Sequence, residues 1–239
     1  MYFHAVRLRV RVPLLRHGYH GLKRNLTADE ITDQLLHFHL NGHTLDSVSF
    51  MGMGEALANP HLFGLGHRRI TISTIGLLPG IDRLTREFPQ VNLTFSMHSP
   101  FDDQRSELMP INKRFPLRDV LNELDHHIRQ TGRKVYIAYI FLQGFNDSTE
   151  HAKAVASLLR GRGSWEHLYH VNLIPYNSTE VTSQSYLPSD PERIKTFVRT
   201  LIRSEHNSDR TLMRHVVSYT ELNSRCSKCN IQYSVCALN

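Results

Sequence analysis

The first candidate for chemistry is a carboxylate, Glu55, which closes the glycine-rich string at residues 52–55 (Gly-Met-Gly-Glu). The string follows residues 45–50, whose alternating apolar and polar side chains predict a β-strand. A carboxylate at the end of a strand can accept hydrogen bonds from the ammonium group of a ligand. Glycines beside it let a ligand approach the main chain closely. An ordinary tight turn explains the same string, so the residues alone leave both interpretations open.

Polar groups also follow three other predicted strands. Ser73 begins the string at residues 73–76, Ser96 and His98 end another strand, and Asn177 closes residues 172–177. Serine hydroxyls in such positions can bind a carboxylate or a ribose, and an amide can bind the edge of an adenine. The alternatives are structural: strand-end capping for the serines, a structural histidine for His98 and a turn residue for Asn177.

Alternating strands and helices would have to position these residues. Strands are predicted over residues 45–50, 70–74, 91–96, 134–142 and 169–174, with a weaker one at 211–218. Five helices are predicted. Two of them follow capping boxes, one formed by Thr27 and Glu30 and the other by Ser189 and Glu192. The others cover residues 79–88, run from Leu117 to a stop at Gly132, and follow Asp147 and Glu150, which can cap the helix.

About six strand–helix units predict an α/β protein with a parallel sheet, either doubly wound or closed into a full or partial barrel. In both architectures binding sites lie in the loops after the carboxyl ends of the strands. The candidate residues all fall in those loops or at the strand ends. One crossover has little helical character, since residues 57–66 must connect two parallel strands.

The composition favours a cytoplasmic protein with a polyanionic partner. The 239 residues carry a formal net charge of +6, and 40% of them are apolar. No apolar run approaches the ~20 residues of a membrane span, and the first residues lack the pattern of a signal peptide. The three cysteines lie in the last fourteen residues, unlike a secreted disulfide framework. A basic protein of this kind suits RNA, although many basic proteins bind no nucleic acid.

Several strings taken together resemble the RlmN/Cfr family of radical-SAM RNA methyltransferases. They lie, in the family's order and spacing, at residues 23–30, 50–55, 70–76, 107–112, 144–148 and 171–177. The resemblance implies a partial (β/α)6 radical-SAM barrel over residues 19–218. It also implies methylation of an adenosine in 23S rRNA, and in some members tRNA, at C2 or C8. The implied cofactors are S-adenosylmethionine (SAM) and a [4Fe–4S] cluster, served by an electron donor.

The family's SAM contacts can be placed on individual residues. Gly54 and Glu55 match the pair that holds the methionyl group, and Ser73 matches another SAM contact. The triplet Ser96, Met97 and His98 matches a further contact, and Asn177 matches the contact after the fifth strand. Cys226 occupies, by spacing, the place of the cysteine that becomes S-methylcysteine in the family.

The sequence departs from the family at both ends. The positions of the cluster's Cys-x3-Cys-x2-Cys motif hold Leu8, Val12 and Leu15, so no metal ligand is assigned. The tail at residues 219–239 lacks the family's Gly-Gln, and the pair Cys226 and Cys229 is only half of a zinc site. The role of Cys236 is open, and the stretch after residue 59 is shorter than the family pattern.

Two interpretations explain residues 1–18. Residues 7–15 have the pattern of an amphipathic strand. We favour the hypothesis that a base was lost near the Gly18 codon, because reading one base later forces a cysteine at codon 1 and permits the family's cysteine string. An N-terminal accessory domain would then lie upstream of Met1. The chain as written is expected to be inactive, and the alternative is a non-catalytic SAM- or RNA-binding remnant.

Overall fold

The computed structural model describes residues 27–42, 47–50, 55–58, 69–176, 186–203 and 217–219. Their centre is a sheet of six strands in the order β1-β2-β3-β4-β5-β6, with every neighbouring pair parallel. The strands are β1 (Val48–Phe50), β2 (Ile70–Thr74), β3 (Asn92–Ser96), β4 (Val135–Phe141), β5 (Tyr169–Pro175) and β6 (Val217–Tyr219).

This strand order distinguishes between the two predicted architectures. A doubly wound sheet reverses its strand order at a switch point, whereas here each strand pairs with the next one in the chain. Within the described residues β1 and β6 do not pair, so the sheet stays open. The predicted partial barrel of parallel strands is therefore confirmed. The domain boundaries after residues 18 and 218 stay predictions.

Within the described residues six α-helices accompany the strands. They are α1 (Ala28–Leu40), α2 (Leu78–Glu87), α3 (Asp102–Leu108), α4 (Leu117–Thr131), α5 (Thr149–Arg160) and α6 (Pro191–Arg203). Both hydrogen bonds of the predicted capping box between Thr27 and Glu30 are present. Gly132 ends α4 with a left-handed φ of 64°, as its position predicted. Helix α3 was not predicted, because seven mostly polar residues show no clear apolar period. None of the described helices has the length and apolar character needed to cross a membrane.

Two predicted helix caps are wrong by one residue. The hydroxyl of Ser148, not the carboxylate of Asp147, accepts the hydrogen bond from the main-chain N–H of His151 and caps α5. Asp147 instead pairs with Arg193, with oxygen–nitrogen distances of 2.7 and 2.9 Å. At α6 the carboxylate of Asp190, not the hydroxyl of Ser189, accepts from the first turn. In both cases the capping side chain belongs to the residue directly before the helix, from which its oxygen reaches the second or third N–H.

Alternate residues of the strands form the main core on one face of the sheet, whereas most residues of the other face are half-buried. Helix α6 covers one part of it through an aromatic cluster. The ring of Phe197 lies 5.3 Å from that of Tyr139 and 4.9 Å from that of Phe141, centroid to centroid. Because one face of the strands is packed in this core, the polar groups at their ends have a rigid support.

One buried histidine in α4 predicts an acid-sensitive core. The hydroxyl of Thr85 donates to the carbonyl of Ile81, so its oxygen accepts from Nδ1–H of His127 at 2.9 Å. Nε2 of His127 then carries a buried lone pair that accepts no hydrogen bond from the described part of the chain. Burial, followed by the charge of Arg133, lowers the pKa of His127 from 6.5 to about 4.

Between these two pKa values His127 is protonated in the unfolded chain and neutral in the folded chain. The contribution of His127 to stability is therefore complete above pH 6.5, and we expect this contribution to fall by up to about 3 kcal/mol as the pH drops towards 4. The variant His127→Asn keeps a donor for Thr85 but does not titrate, so it should lose this part of the pH dependence. Urea unfolding of both proteins at pH 7 and pH 5 measures the difference, and equal slopes would contradict the assignment.

Candidate functional site

Five of the sequence-predicted site residues lie in the described part of the chain, and the structure gathers them at the carboxyl ends of β1, β2 and β3. Ser73 is the penultimate residue of β2, and Ser96 is the last residue of β3. Met97 and His98 continue directly from β3, while Glu55 reaches the end of β2 through its side chain. The predicted gathering at one edge of the sheet is thus observed for these residues.

Glu55 is a buried carboxylate, with only 1% of its surface exposed. Its Oε2 accepts from the main-chain N–H of Ile75 at 2.8 Å, and its Oε1 accepts from that of Leu57 at 3.3 Å. Burial raises the pKa of Glu55 from 4.5 to about 7, against the opposing effect of hydrogen bonds from Ile75, Thr74 and Leu57. A carboxylate offers about four acceptor positions, and Ile75, Thr74 and Leu57 are the donors that the described residues provide.

The two serines form the second part of the site. The hydroxyl oxygens of Ser73 and Ser96 lie 3.3 Å apart, and both residues are half-buried. Two neighbouring hydroxyls provide donors and acceptors that suit a carboxylate or a ribose diol. The sequence predicted that both serines lie at strand ends, and their proximity to each other is a result of the structure.

Met97 and His98 differ in what they present. The side chain of Met97 is fully buried in the main core, so only its main chain can contact a ligand. His98 has a left-handed φ of 55° and forms a γ-turn in which the N–H of Ser99 donates to the carbonyl of Met97 at 2.7 Å. Such a φ is unusual for a residue other than glycine and is retained where surrounding contacts hold it.

The hydrogen bonds of His98 define its tautomer. Its Nδ1 accepts from the main-chain N–H of Ile140 at 3.1 Å, so the ring hydrogen of the neutral form is on Nε2. Burial, followed by the nearby charge of Arg105, lowers the pKa of His98 to about 3. The residue is therefore a neutral Nε2–H donor at physiological pH.

Arg105, on α3, is a site residue that sequence reasoning missed. Its guanidinium group is fully buried, and Nη2 donates to the carbonyls of Ile75 at 2.7 Å and Ser96 at 3.1 Å. Nη1 donates to the side-chain oxygen of Asn112, and the group lies 4.8 Å from the ring centroid of Phe95. An arginine within a polar helical stretch normally predicts an exposed side chain, so no sequence signal indicated this burial.

Asn146 is a second missed residue, in the loop after β4. Its Oδ1 accepts from the main-chain N–H of Leu142, and its Nδ2 donates to the carbonyls of His98 and Ile140, all at 2.7 Å. The buried amide therefore joins the loop after β3 to the loop after β4. Its string at residues 144–148 contributed to the family resemblance, but nothing in the string indicates this bridging role.

The other predicted residues lie outside the described part of the chain. They are Gly54, Asn177 and Cys226 among the candidate contacts, and Leu8, Val12 and Leu15 at the positions of the cluster motif. The structure therefore tests none of these assignments.

No family model matches the chain, but curated proteins do. A ribosomal RNA large subunit methyltransferase Cfr from Clostridium botulinum (strain Hall) is 64% identical over 196 residues, covering 77% of this chain and 56% of that protein. A protein of the same name from Shouchella clausii is 58% identical over 197 residues, with the same coverage. A solved radical SAM methyltransferase from Sphaerobacter thermophilus is 35% identical with a TM-score of 0.74, covering 90% of this chain and 64% of that one. The chain belongs to the RlmN/Cfr family.

The match to this family has two boundaries. The chain spans 56% of the length of the first Cfr relative. Because 77% of 239 residues is fewer than 196, the relative contributes more residues to the alignment than this chain does. This agrees with the expectation that the chain is shorter than its family somewhere within the matched part. SuiB from Streptococcus suis, solved with S-adenosylmethionine, is 13% identical with a TM-score of 0.57 and supports the fold alone.

The residues present fit one of the two cofactors of radical-SAM enzymes. For SAM, the site offers a buried carboxylate, two adjacent hydroxyls and a neutral imidazole donor at one edge of the sheet. The [4Fe–4S] cluster requires thiolates, yet none of residues 1–225 is a cysteine. The described residues also contain no group of three His, Cys, Asp or Glu side chains able to hold a metal. The cluster therefore does not fit these 239 residues.

Proposed function

We propose that this chain is the SAM-binding barrel of a radical-SAM methyltransferase that modifies an adenosine in RNA. The observation that carries the proposal is the buried Glu55 beside the paired hydroxyls, at the strand ends of a chain 64% identical to a Cfr protein. By the same relationship, 23S rRNA is the proposed substrate, with tRNA as a second possibility and the cytoplasm as the location.

Each residue has a proposed role in holding SAM. Glu55 accepts from the ammonium group of the methionyl part, with Gly54 beside it. The hydroxyls of Ser73 and Ser96 bind the carboxylate or the ribose, and Nε2–H of His98 supplies a further donor. Asn177 and the main chain of Met97 complete the contacts.

In the complete enzyme SAM supplies both the transferred methyl group and the radical that activates it. The barrel binds this cofactor, orients it and keeps water away from it. Cys226 is proposed as the position of the methyl-carrying cysteine. Because the cluster does not fit the residues present, this chain is proposed to bind SAM without methylating RNA.

Exposed cations at the same edge of the sheet favour RNA as the partner. Lys113, Arg114 and Arg118 are exposed, and 81% of the Arg118 side chain is accessible. They flank Asn112 and Leu117, which are tied to this edge because Asn112 contacts Arg105 and the N–H of Leu117 donates to Asp102. Arg118 pairs with Asp119 at 3.3 Å, and exposed carboxylates lie on the neighbouring α3, so the attraction for a phosphate backbone rests on Lys113, Arg114 and the net charge of +6.

A non-catalytic SAM- or RNA-binding remnant is the second candidate. It is favoured by one observation, the aliphatic residues at all three positions of the cluster motif. A remnant and a chain with a misread beginning both bind SAM, so binding alone does not separate them. Genomic DNA sequenced from upstream of Met1 through the Asn25 codon separates them, because only a misread beginning restores Cys-x3-Cys-x2-Cys.

A chimera tests the proposed activity. In it, the segments before residue 19 and after residue 218 are replaced by those of the Clostridium botulinum relative. We expect the chain as given to bind SAM in iron-free buffer, to retain no iron after anaerobic reconstitution and to leave RNA unmodified. The chimera should retain iron and, with a reductant, methylate an adenosine in 23S rRNA transcripts, as measured by mass spectrometry of digested RNA.

Each outcome of the chimera experiment has a defined meaning. Methylation by the chimera, but not by a chimera carrying Glu55→Gln, would support a competent SAM site in residues 19–218. A folded chain and a folded chimera that both fail to bind SAM would refute the proposal. Methylation of RNA by the unaltered chain would contradict its proposed inactivity.

A further inference from the structure

Arg105 carries a buried positive charge, and no carboxylate among the described residues is hydrogen-bonded to it. None of its surface is exposed, and its Nη atoms bind two main-chain carbonyls and one side-chain amide. Its Nε is buried without a partner among the described residues. Burying such a charge is costly, and burial lowers the pKa of Arg105 from 12.5 to about 9. A fully buried guanidinium at a ligand site therefore calls for a functional explanation.

The first contact of Arg105 connects it to Glu55. The carbonyl of Ile75 accepts from Arg105, and the N–H of the same residue donates to Glu55. If the carbonyl of Ile75 lost its donor, the turn after β2 would relax and the N–H would no longer be aimed at Glu55. The guanidinium thus restrains the residue that orients the carboxylate.

The second contact connects Arg105 to the serine pair. Its Nη2 also donates to the carbonyl of Ser96, whose hydroxyl lies 3.3 Å from that of Ser73. One nitrogen therefore bridges the ends of β2 and β3, at the place where the two hydroxyls meet. A planar guanidinium can reach both carbonyls and Asn112 together, which the single ammonium of lysine cannot do.

Asn112 holds the guanidinium from the opposite side. Its Oδ1 accepts from Arg105, while its Nδ2 donates to Asp102 at 2.7 Å and to the hydroxyl of Ser106 at 3.0 Å. Asp102 also accepts from the N–H of Leu117 at 3.0 Å. Through this chain of bonds α3 and the start of α4 determine where the guanidinium lies.

We propose that Arg105 is the positioning residue of the SAM site, holding the ends of β2 and β3 in the arrangement that presents Glu55 and the Ser73–Ser96 pair to the ligand. This inference rests on the proposed SAM site. The Nη atoms of Arg105 are directed at two main-chain carbonyls and at Asn112, so its proposed action is on the strand ends and not on the ligand directly.

The test compares Arg105→Lys with Arg162→Lys in the full chain. Arg162 is a suitable control because it is largely buried and binds Asp125 at 2.9 Å and the carbonyl of Leu158 at 3.1 Å. It follows the end of α5 and precedes β5, so it lies at the opposite edge of the sheet. Both variants disturb a partly or fully buried arginine, but only the first disturbs the proposed site.

Two readouts are measured on the folded proteins. The first is the titration of Glu55 by carbon-detected NMR without ligand. The hydrogen bond from Ile75 lowers the Glu55 pKa, so Arg105→Lys should raise that pKa above its value in the unmodified chain. The second readout is SAM affinity, which should fall by about 10- to 100-fold on loss of contacts of this kind. Arg162→Lys should change neither.

Separate results would overturn the two proposals. Unchanged Glu55 titration and unchanged SAM affinity in Arg105→Lys would refute the positioning role. If Arg105→Lys shifts the Glu55 pKa but neither the unmodified chain nor any variant binds SAM, the SAM site is refuted. The role of Arg105 in positioning Glu55 would then still be supported. If Arg105→Lys does not fold, Asn112→Ala removes the support behind the guanidinium and should change both readouts in the same directions, by less.

Discussion

Replacing Glu55 with glutamine is expected to weaken SAM binding by about 30-fold or more, which corresponds to ~2 kcal/mol or more for a buried charged contact. The amide keeps the size of the side chain but removes the negative charge that would face the ligand's ammonium group. Isothermal titration calorimetry in iron-free buffer measures the effect. 5′-Methylthioadenosine, which lacks the amino acid part of SAM, should bind both proteins equally.

The pH dependence makes this prediction sharper. The pKa of Glu55 is about 7 in the free chain, so below pH 7 SAM must displace a proton, and its affinity should fall by up to tenfold per pH unit. Above about pH 8 affinity should fall again, because α-amino groups lose their proton there. Glu55→Gln should remove the acid limb and keep the alkaline one. An acid limb that persists in the variant would show that another group titrates.

Glu55 should also make the stability of the ligand-free chain depend on pH. Its folded-state pKa is raised from 4.5 to about 7, so between these values the unfolded chain has lost a proton that the folded chain keeps. The contribution of Glu55 to stability therefore decreases as the pH rises through this window, by about 3 kcal/mol at most. Urea unfolding of the unmodified chain and of Glu55→Gln at pH 5 and pH 8 isolates this contribution. The change in stability from pH 5 to pH 8 should be more negative in the unmodified chain than in Glu55→Gln by that amount, because the opposite effect of His127 is common to both proteins.

Replacing Asn146 with alanine should cost about 3–5 kcal/mol of stability at pH 7. The substitution leaves three main-chain groups without this partner, namely the N–H of Leu142 and the carbonyls of His98 and Ile140. Each buried group left unsatisfied costs about 1–3 kcal/mol. SAM affinity should fall as well, because His98 loses the bond that holds its left-handed main chain. Urea denaturation and calorimetry measure the two effects.

Asn122 provides the matched control for this prediction. It is exposed on α4, and its side-chain oxygen accepts a single bond of 3.3 Å from Arg162. Asn122→Ala should change stability by no more than about 0.5 kcal/mol. If Asn146→Ala had an equally small effect, water would have to replace its bonds, and the loop after β3 would not depend on that side chain.

Much of the architecture could be predicted because local patterns carry it. The β-branched run at Ile70–Thr74 forms β2 with the predicted bounds, and the capping box at Thr27 and the stop at Gly132 are in place. The caps of α5 and α6 were misplaced because several adjacent polar residues could each serve. Only the main-chain geometry of the first turn decides which oxygen reaches the free N–H groups.

The alternation of strands and helices in the sequence determined a parallel α/β sheet with its polar residues at the carboxyl ends, because side-chain periodicity is a local property. The family strings added the identity of the site. The tertiary structure decided the consecutive strand order, the left-handed main chain at His98, and the burial of Arg105 and Asn146 beneath the loops. These features depend on contacts such as Arg105 with Ile75 and Asn146 with His98, which are 30 and 48 residues apart in the chain. No local pattern contains such contacts, because they exist only when the strand ends have been brought together.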